Sequence, residues 1–129
     1  MKITAHHPAG ARPPRAALSP AIRAGDLVFA SGQVPVDPTS GELIGTEIAE
    51  QTTAVLDNLE RVLKAAGAGL ADVVKTTVFL TRTGDFAGMD AAYRQRFADR
   101  PPARSTVTIA GLARPGFLVE IEAVAVTPE

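Results

Sequence analysis

Residues 46–66, Thr-Glu-Ile-Ala-Glu-Gln-Thr-Thr-Ala-Val-Leu-Asp-Asn-Leu-Glu-Arg-Val-Leu-Lys-Ala-Ala, run into Gly67 and are soon followed by residues 73–80, Val-Val-Lys-Thr-Thr-Val-Phe-Leu. The first stretch sets Ile48, Thr52, Val55, Leu56, Leu59, Val62, Leu63 and Ala66 at three- and four-residue spacing. That is the pattern of a helix with one apolar face. Thr46 is placed to cap its first turn, and Glu47 and Glu50 suit the partial positive charge there. Lys64 suits the opposite end, and Gly67 can take the left-handed conformation that ends a helix. The second stretch is rich in Val, Thr and Phe and reads as a strand. Its alternation predicts Val74, Val78 and Leu80 on one face and Val73, Lys75, Thr77 and Phe79 on the other.

Toward the C-terminus, residues 85–97 predict a second helix, with Thr83 or Asp85 as its cap and Phe86, Met89, Tyr93 and Phe97 as its apolar stripe. Asp90 lies beside that stripe, so its carboxylate is expected to be paired or to stand at the edge of a cavity. Pro101-Pro102 breaks the chain. Residues 104–110 alternate, with Ser105, Val107 and Ile109 facing one way and Arg104, Thr106 and Thr108 the other. After a loop at 111–116, residues 117–126 read as the last strand, with Val119, Ile121, Ala123 and Ala125 on one face and Glu120 and Glu122 on the other. Toward the N-terminus, residues 27–31, Leu-Val-Phe-Ala-Ser, predict a short buried strand, and residues 35–41 are turn chemistry throughout. Residues 1–18, with Pro13-Pro14, read as a tail or extended arm preceding a domain at 19–129. The order strand, helix, strand, helix, strand, strand predicts one α+β domain, two helices covering one face of a single sheet.

Composition narrows the function classes. The 129 residues suit one domain, and the 46% hydrophobic and 21% charged content is that of a globular protein. Thirteen basic against fourteen acidic residues leave no basic excess, so no nucleic-acid partner is expected. No apolar run approaches a membrane span and no secretory signal is read, so no membrane association and a cytoplasmic location are the expectations. The absence of cysteine removes disulfides, thiolate catalysis and zinc-thiolate sites.

The common catalytic sets are missing as well. Both histidines, His6 and His7, lie in the arm, so no Ser-His-Asp set can be assembled, and two adjacent histidines without a third ligand do not make a metal site. Lys75 sits mid-strand and reads as a snorkelling side chain rather than a Schiff-base lysine. Polar groups on the last two strands remain. Arg104 opens a strand after Pro-Pro-Ala, and its planar fork of donors matches a carboxylate at two points. If the last two strands pair as a hairpin, Arg104 and a glutamate share a face. Spacing alone leaves a structural salt bridge between Arg104 and Glu120 as an open alternative.

The stretch Pro-Pro-Ala-Arg-Ser-Thr-Val-Thr-Ile-Ala-Gly-Leu at 101–112, followed by Val-Glu-Ile-Glu-Ala-Val-Ala at 119–125, resembles the C-terminal signature of the RidA/YjgF family of reactive enamine/imine deaminases. Phe-Ala-Ser-Gly-Gln-Val-Pro at 29–35, Val-Lys-Thr-Thr-Val-Phe-Leu at 74–80 and Asn58-Leu59 resemble its earlier elements. The resemblance implies a chorismate-mutase-like fold with a mixed β-sheet, assembled as a homotrimer with a cleft at each subunit interface. It also implies hydrolysis of 2-aminoacrylate-type intermediates to 2-keto acids and ammonia without a cofactor or metal. Arg104 then binds the carboxylate of a small-molecule substrate, Glu120 holds or activates the attacking water, and Ser31 and Gly32 line the pocket. Such a reaction suits a sparse residue set, because a protonated imine carbon is already electrophilic and positioning with acid–base help suffices.

Three positions depart from the pattern. Ala21 stands where the family often has Tyr, Asp90 where it commonly has Asn, and Thr106 where a Cys often follows. Asp90 and Thr106 are thereby assigned to the substrate-binding side of the site. The departures keep two further readings open. One is a related deaminase for a larger substrate of the 2-aminomuconate type, and the other is a trimer that binds a small ligand without turnover.

Overall fold

The computed structural model describes residues 1–128. Six strands and two helices follow in the order β1 (Ile3–His6), β2 (Ala21–Ala24), β3 (Leu27–Gln33), α1 (Ile48–Ala65), β4 (Val73–Leu80), α2 (Phe86–Arg96), β5 (Ala103–Thr108) and β6 (Val119–Val126). The strands form one mixed sheet in the order β1-β2-β3-β6-β4-β5. Only β4 and β5 run parallel, and every other neighbouring pair is antiparallel. No described helix is long and apolar enough to cross a membrane.

The expected α+β domain is present, with both helices on one face of the sheet. The predicted stripe of α1 is buried from Thr52 through Leu63, and Leu56, Leu59 and Leu63 are fully enclosed. They meet Val28, Val78, Leu80, Val119 and Ile121 from the inner face of the sheet. Met89, Tyr93 and Phe97 of α2 complete this core, whereas Phe86 stays exposed at the first turn. Apolar burial of this kind contributes ~25 cal/mol per Å² and supplies most of the drive to fold.

Several local expectations are corrected. Helix α1 starts at Ile48 with Glu47 as N-cap and no side-chain capping bond, so Thr46 does not cap it. Asp85 flanks α2 but bonds Arg82 at 2.8 Å instead of capping the helix. Val74 is exposed and Val73 takes its place in the core, because a register shift between Val73 and Lys75 reverses the alternation at the start of β4. Gly67 does take a left-handed conformation, φ +91°, beyond the end of α1.

The largest correction concerns the last two strands. They do not form a hairpin. β4 lies between β5 and β6, pairing Thr76 with Arg104 on one side and Phe79 with Glu120 on the other. β6, with its apolar inner face, takes a central position, and the more polar β5 is left at the edge. The arm is likewise more ordered than a tail, since Ile3–His6 pairs with Ala21–Ala24 at the opposite edge. Prolines keep the stretch between these strands out of regular structure, yet Arg12 N–H still donates to the Pro38 carbonyl at 2.8 Å.

Candidate functional site

Two clusters gather the residues singled out by the sequence. The first stands on the helix-covered face at the β5 edge. Arg104 and Thr106, two apart on β5, share that face, each half-buried. The Arg104 guanidinium lies over the rings of Tyr93, 4.8 Å from its centroid, and Phe86, 5.5 Å away. Such stacking holds the planar group in one orientation. Tyr93 is in turn pinned by a 2.7 Å hydrogen bond between its hydroxyl and that of Thr76. Burial raises the Tyr93 phenol above its ordinary value, so it stays protonated.

Asp90 completes this cluster. Its Oδ1 accepts from Arg104 Nη1 at 2.9 Å and its Oδ2 from Arg94 Nη2 at 3.2 Å. The hydrogen bond from Arg104, aided by that from Arg94, holds the carboxyl below the usual aspartate range despite partial burial. Of the two positions expected for Asp90, paired or at a cavity edge, the structure shows the pair, with Arg104 and Arg94 as partners. One carboxylate between two guanidiniums leaves a net positive charge, and Arg104 donates only one of its N–H groups to Asp90.

The second cluster stands where β3 meets β6. The register runs from Ala30 opposite Ala123 to Gln33 opposite Ile121, so β3 carries one extra residue and bulges at Ser31-Gly32. The bulge is held by Ser31 Oγ donating to the Ser19 carbonyl at 2.7 Å and Ser31 N–H to the Pro20 carbonyl at 2.9 Å. Glycine at 32 leaves room for the Glu120 carboxyl, since a Cβ there would lie 2.8 Å from its Cδ and would displace the side chain. The Glu120 carboxyl is pushed above its ordinary value, first by burial and then by Glu122 on the same face. It has no ion-pair partner among the described residues.

A cleft of about 690 Å³ opens beside this bulge, lined by Ser31 and Gly32. Four arginines that no sequence pattern assigned to a site, Arg12, Arg15, Arg61 and Arg114, also line it. The spacing Arg-Pro-Pro-Arg at 12–15 was a signal, but reading the arm as a tail gave it no site to belong to. Ala21 is fully buried and does not line the cleft.

The proposed structural bridge between Arg104 and Glu120 does not exist. Glu120 pairs with Phe79 on the open face of the sheet, while Arg104 pairs with Thr76 on the helix-covered face. Within one chain the six residues therefore make two half-sites, Arg104, Asp90 and Thr106 in one and Ser31, Gly32 and Glu120 in the other. Among the described residues, no three His, Asp or Glu side chains converge to hold a metal ion.

Comparison with known proteins places this arrangement. The profile of the family described as Endoribonuclease L-PSP matches residues 9–127. A RutC family protein of Pyrococcus horikoshii is 44% identical over 107 residues, 83% of this chain and 84% of the relative. The human 2-iminobutanoate/2-iminopropanoate deaminase is 40% identical over 108 residues, 84% of this chain and 78% of the relative. The crystal structure of the E. coli YjgF gene product superposes with a TM-score of 0.89 at 34% identity, covering 97% of this chain and 99% of that one. With the helix-backed sheet, the Ser31-Gly32 bulge and the Arg104 strand all lying inside the matched region, the chain belongs to the RidA/YjgF family.

Proposed function

We propose that this protein hydrolyses reactive enamines and imines of the 2-aminoacrylate type to 2-keto acids and ammonia, without a cofactor, at sites completed between the subunits of a homotrimer. The observation that carries this reading is the separation of an anion-binding half-site from an acid–base half-site on opposite faces of one sheet. Each half lacks what the other holds. The open face supports self-association, because Leu27, Phe29, Val107 and Val126 are exposed apolar residues on it. The human relative, a 2-iminobutanoate/2-iminopropanoate deaminase, supports the reaction.

The chemistry follows from the two halves. Free N–H groups of Arg104 bind the substrate carboxylate and fix the imine carbon near Glu120 of a neighbour. Glu120 takes a proton from water as its oxygen attacks that carbon. The same proton then passes to the nitrogen of the tetrahedral carbinolamine. The C–N bond breaks as the hydroxyl loses its proton, so one imine and one water give one keto acid and one ammonia. A carboxyl raised toward neutrality by burial is suited to both transfers.

The test is ammonia release from 2-iminobutanoate and 2-iminopropanoate made in the assay by an amino-acid oxidase. Wild type should exceed the uncatalysed rate, and Arg104→Ala should return it to background. Equal rates in the two proteins would remove Arg104 from the reaction. Sedimentation should give three times the 13.4 kDa chain mass.

A further inference from the structure

Of the ten arginines, Arg23 and Arg100 donate to backbone carbonyls away from the cleft, and the other eight fall into two groups. Arg82, Arg94, Arg96 and Arg104 are each paired with a carboxylate. Arg12, Arg15, Arg61 and Arg114 have no carboxylate within ion-pair distance among the described residues, and all four line the cleft beside Ser31-Gly32. The four come from three distant parts of the chain, Arg12 and Arg15 from the arm, Arg61 from α1 and Arg114 from the loop before β6. They are brought together by tertiary structure and not by a local charge run.

Neutral acceptors hold three of them, Arg12, Arg61 and Arg114, in place. Arg12 Nη1 donates to the Ser40 carbonyl at 2.5 Å and Arg114 Nη2 to the Gly41 carbonyl at 2.7 Å. Arg61 Nη1 donates to Asn58 Oδ1 at 2.8 Å. The turn that anchors the first two is itself rigid. Asp37 Oδ1 accepts from the N–H groups of Thr39 and Ser40, both at 2.8 Å, and Gly41 adopts φ +75°. A carbonyl or amide oxygen orients a guanidinium without cancelling its charge, and each guanidinium keeps further N–H donors. Asp37 is the single carboxylate lining the cleft, and its Oδ1 is already engaged by the turn. The cleft therefore presents a fixed positive field next to Gly32, the residue against which Glu120 rests.

We infer that this arginine-rimmed cleft binds a second anionic group of the substrate, so that the preferred imines are dicarboxylates. This rests on the deaminase reading, in which Arg104 takes the carboxylate next to the imine carbon. The cleft then receives the distal carboxylate, at the far end of a carbon chain passing Glu120. Its volume of about 690 Å³ exceeds what a small monocarboxylate fills.

The test has two arms. Ammonia release is compared for 2-iminoglutarate and 2-iminobutanoate, in wild type and in Arg15→Gln and Arg114→Gln. The dicarboxylate-to-monocarboxylate ratio of kcat/KM should favour the dicarboxylate in wild type and fall about tenfold in each variant, the loss of roughly one charge-assisted pair. A ratio near one in wild type, with both imines hydrolysed, overturns the inference and leaves the deaminase reading standing. Independently of turnover, glutarate and butyrate are titrated into wild type and variants by calorimetry. Glutarate should bind at least tenfold tighter, and the advantage should shrink in the variants. Equal affinities overturn the inference even if no imine is hydrolysed. Arg15→Gln keeps the test open should Arg114→Gln unfold, since Arg15 holds no hydrogen bond in the fold.

Discussion

Arg104 and Glu120 project from opposite faces of the same sheet, with β4 running between their strands. No rotation of either side chain brings both to one substrate within a single chain. A site that uses both must draw on two subunits, and this geometry yields a sharp expectation. Arg104→Ala and Glu120→Gln chains, each inactive alone, should regain about a quarter of wild-type activity when unfolded together in equal amounts and refolded, since each site takes its halves from two neighbours at random. An inactive mixture that still forms trimers would refute the shared site.

Asp90 tempers the charge of Arg104, and its removal should be felt by an anion. Asp90→Asn keeps a hydrogen-bond acceptor for Arg104 but deletes the negative charge. The KM for a carboxylate substrate should fall about three- to tenfold. The same variant should alter acid stability. Because Arg104 and then Arg94 hold the Asp90 carboxyl below 3.8, its contribution is present above about pH 4 and is lost as pH falls through the lowered folded value. Thermal melts between about pH 4 and pH 2 should therefore fall more steeply for wild type than for Asp90→Asn.

Glu120 is expected to trade stability for chemistry. Burial, and then Glu122, raises its folded value above the ordinary 4.5, so its charged form is disfavoured in the folded protein. The folded state then binds the proton more tightly than the unfolded chain, and stability falls as pH rises through the raised value. Glu120→Gln should melt higher than wild type at about pH 8, with the gap closing below about pH 4.5, while kcat falls ~10²-fold or more. A variant that melts lower at the alkaline pH would contradict the assigned burial cost.

Gln51 carries a structural role that the helix pattern alone does not show. It is fully buried, donating to the carbonyls of Gly45 and Gly116 at 3.2 and 2.9 Å and accepting from Leu118 N–H at 2.8 Å. Gln51→Leu strands those three backbone groups and should cost about 2–4 kcal/mol in urea denaturation. A loss under about 0.5 kcal/mol would mean that water takes over these bonds.

Short-range rules made much of this protein legible from its sequence. The apolar stripe of α1, the buried alternation of Val119, Ile121, Ala123 and Ala125, and the left-handed Gly67 all follow from periodicity and backbone sterics acting over a few residues. The cost of leaving a carboxylate beside an apolar face limited Asp90 to a partner or an open edge, without saying which. Arg104 was marked by its chemistry and position, and Ser31, Gly32, Glu120 and Thr106 by resemblance alone.

Strand neighbours are a different matter. Which edge β5 takes is decided by the return of the chain through α2 and by the demand of β6 for a buried centre, and no local pattern encodes either. That placement alone put Arg104 and Glu120 on opposite faces. The one-residue shift at Val73, the edge strand formed by Ile3–His6 and the gathering of four arginines around a turn at 37–41 likewise arise from contacts between segments far apart in sequence. The residues themselves name the chemistry, and only the long-range packing of the chain decides which of them can meet.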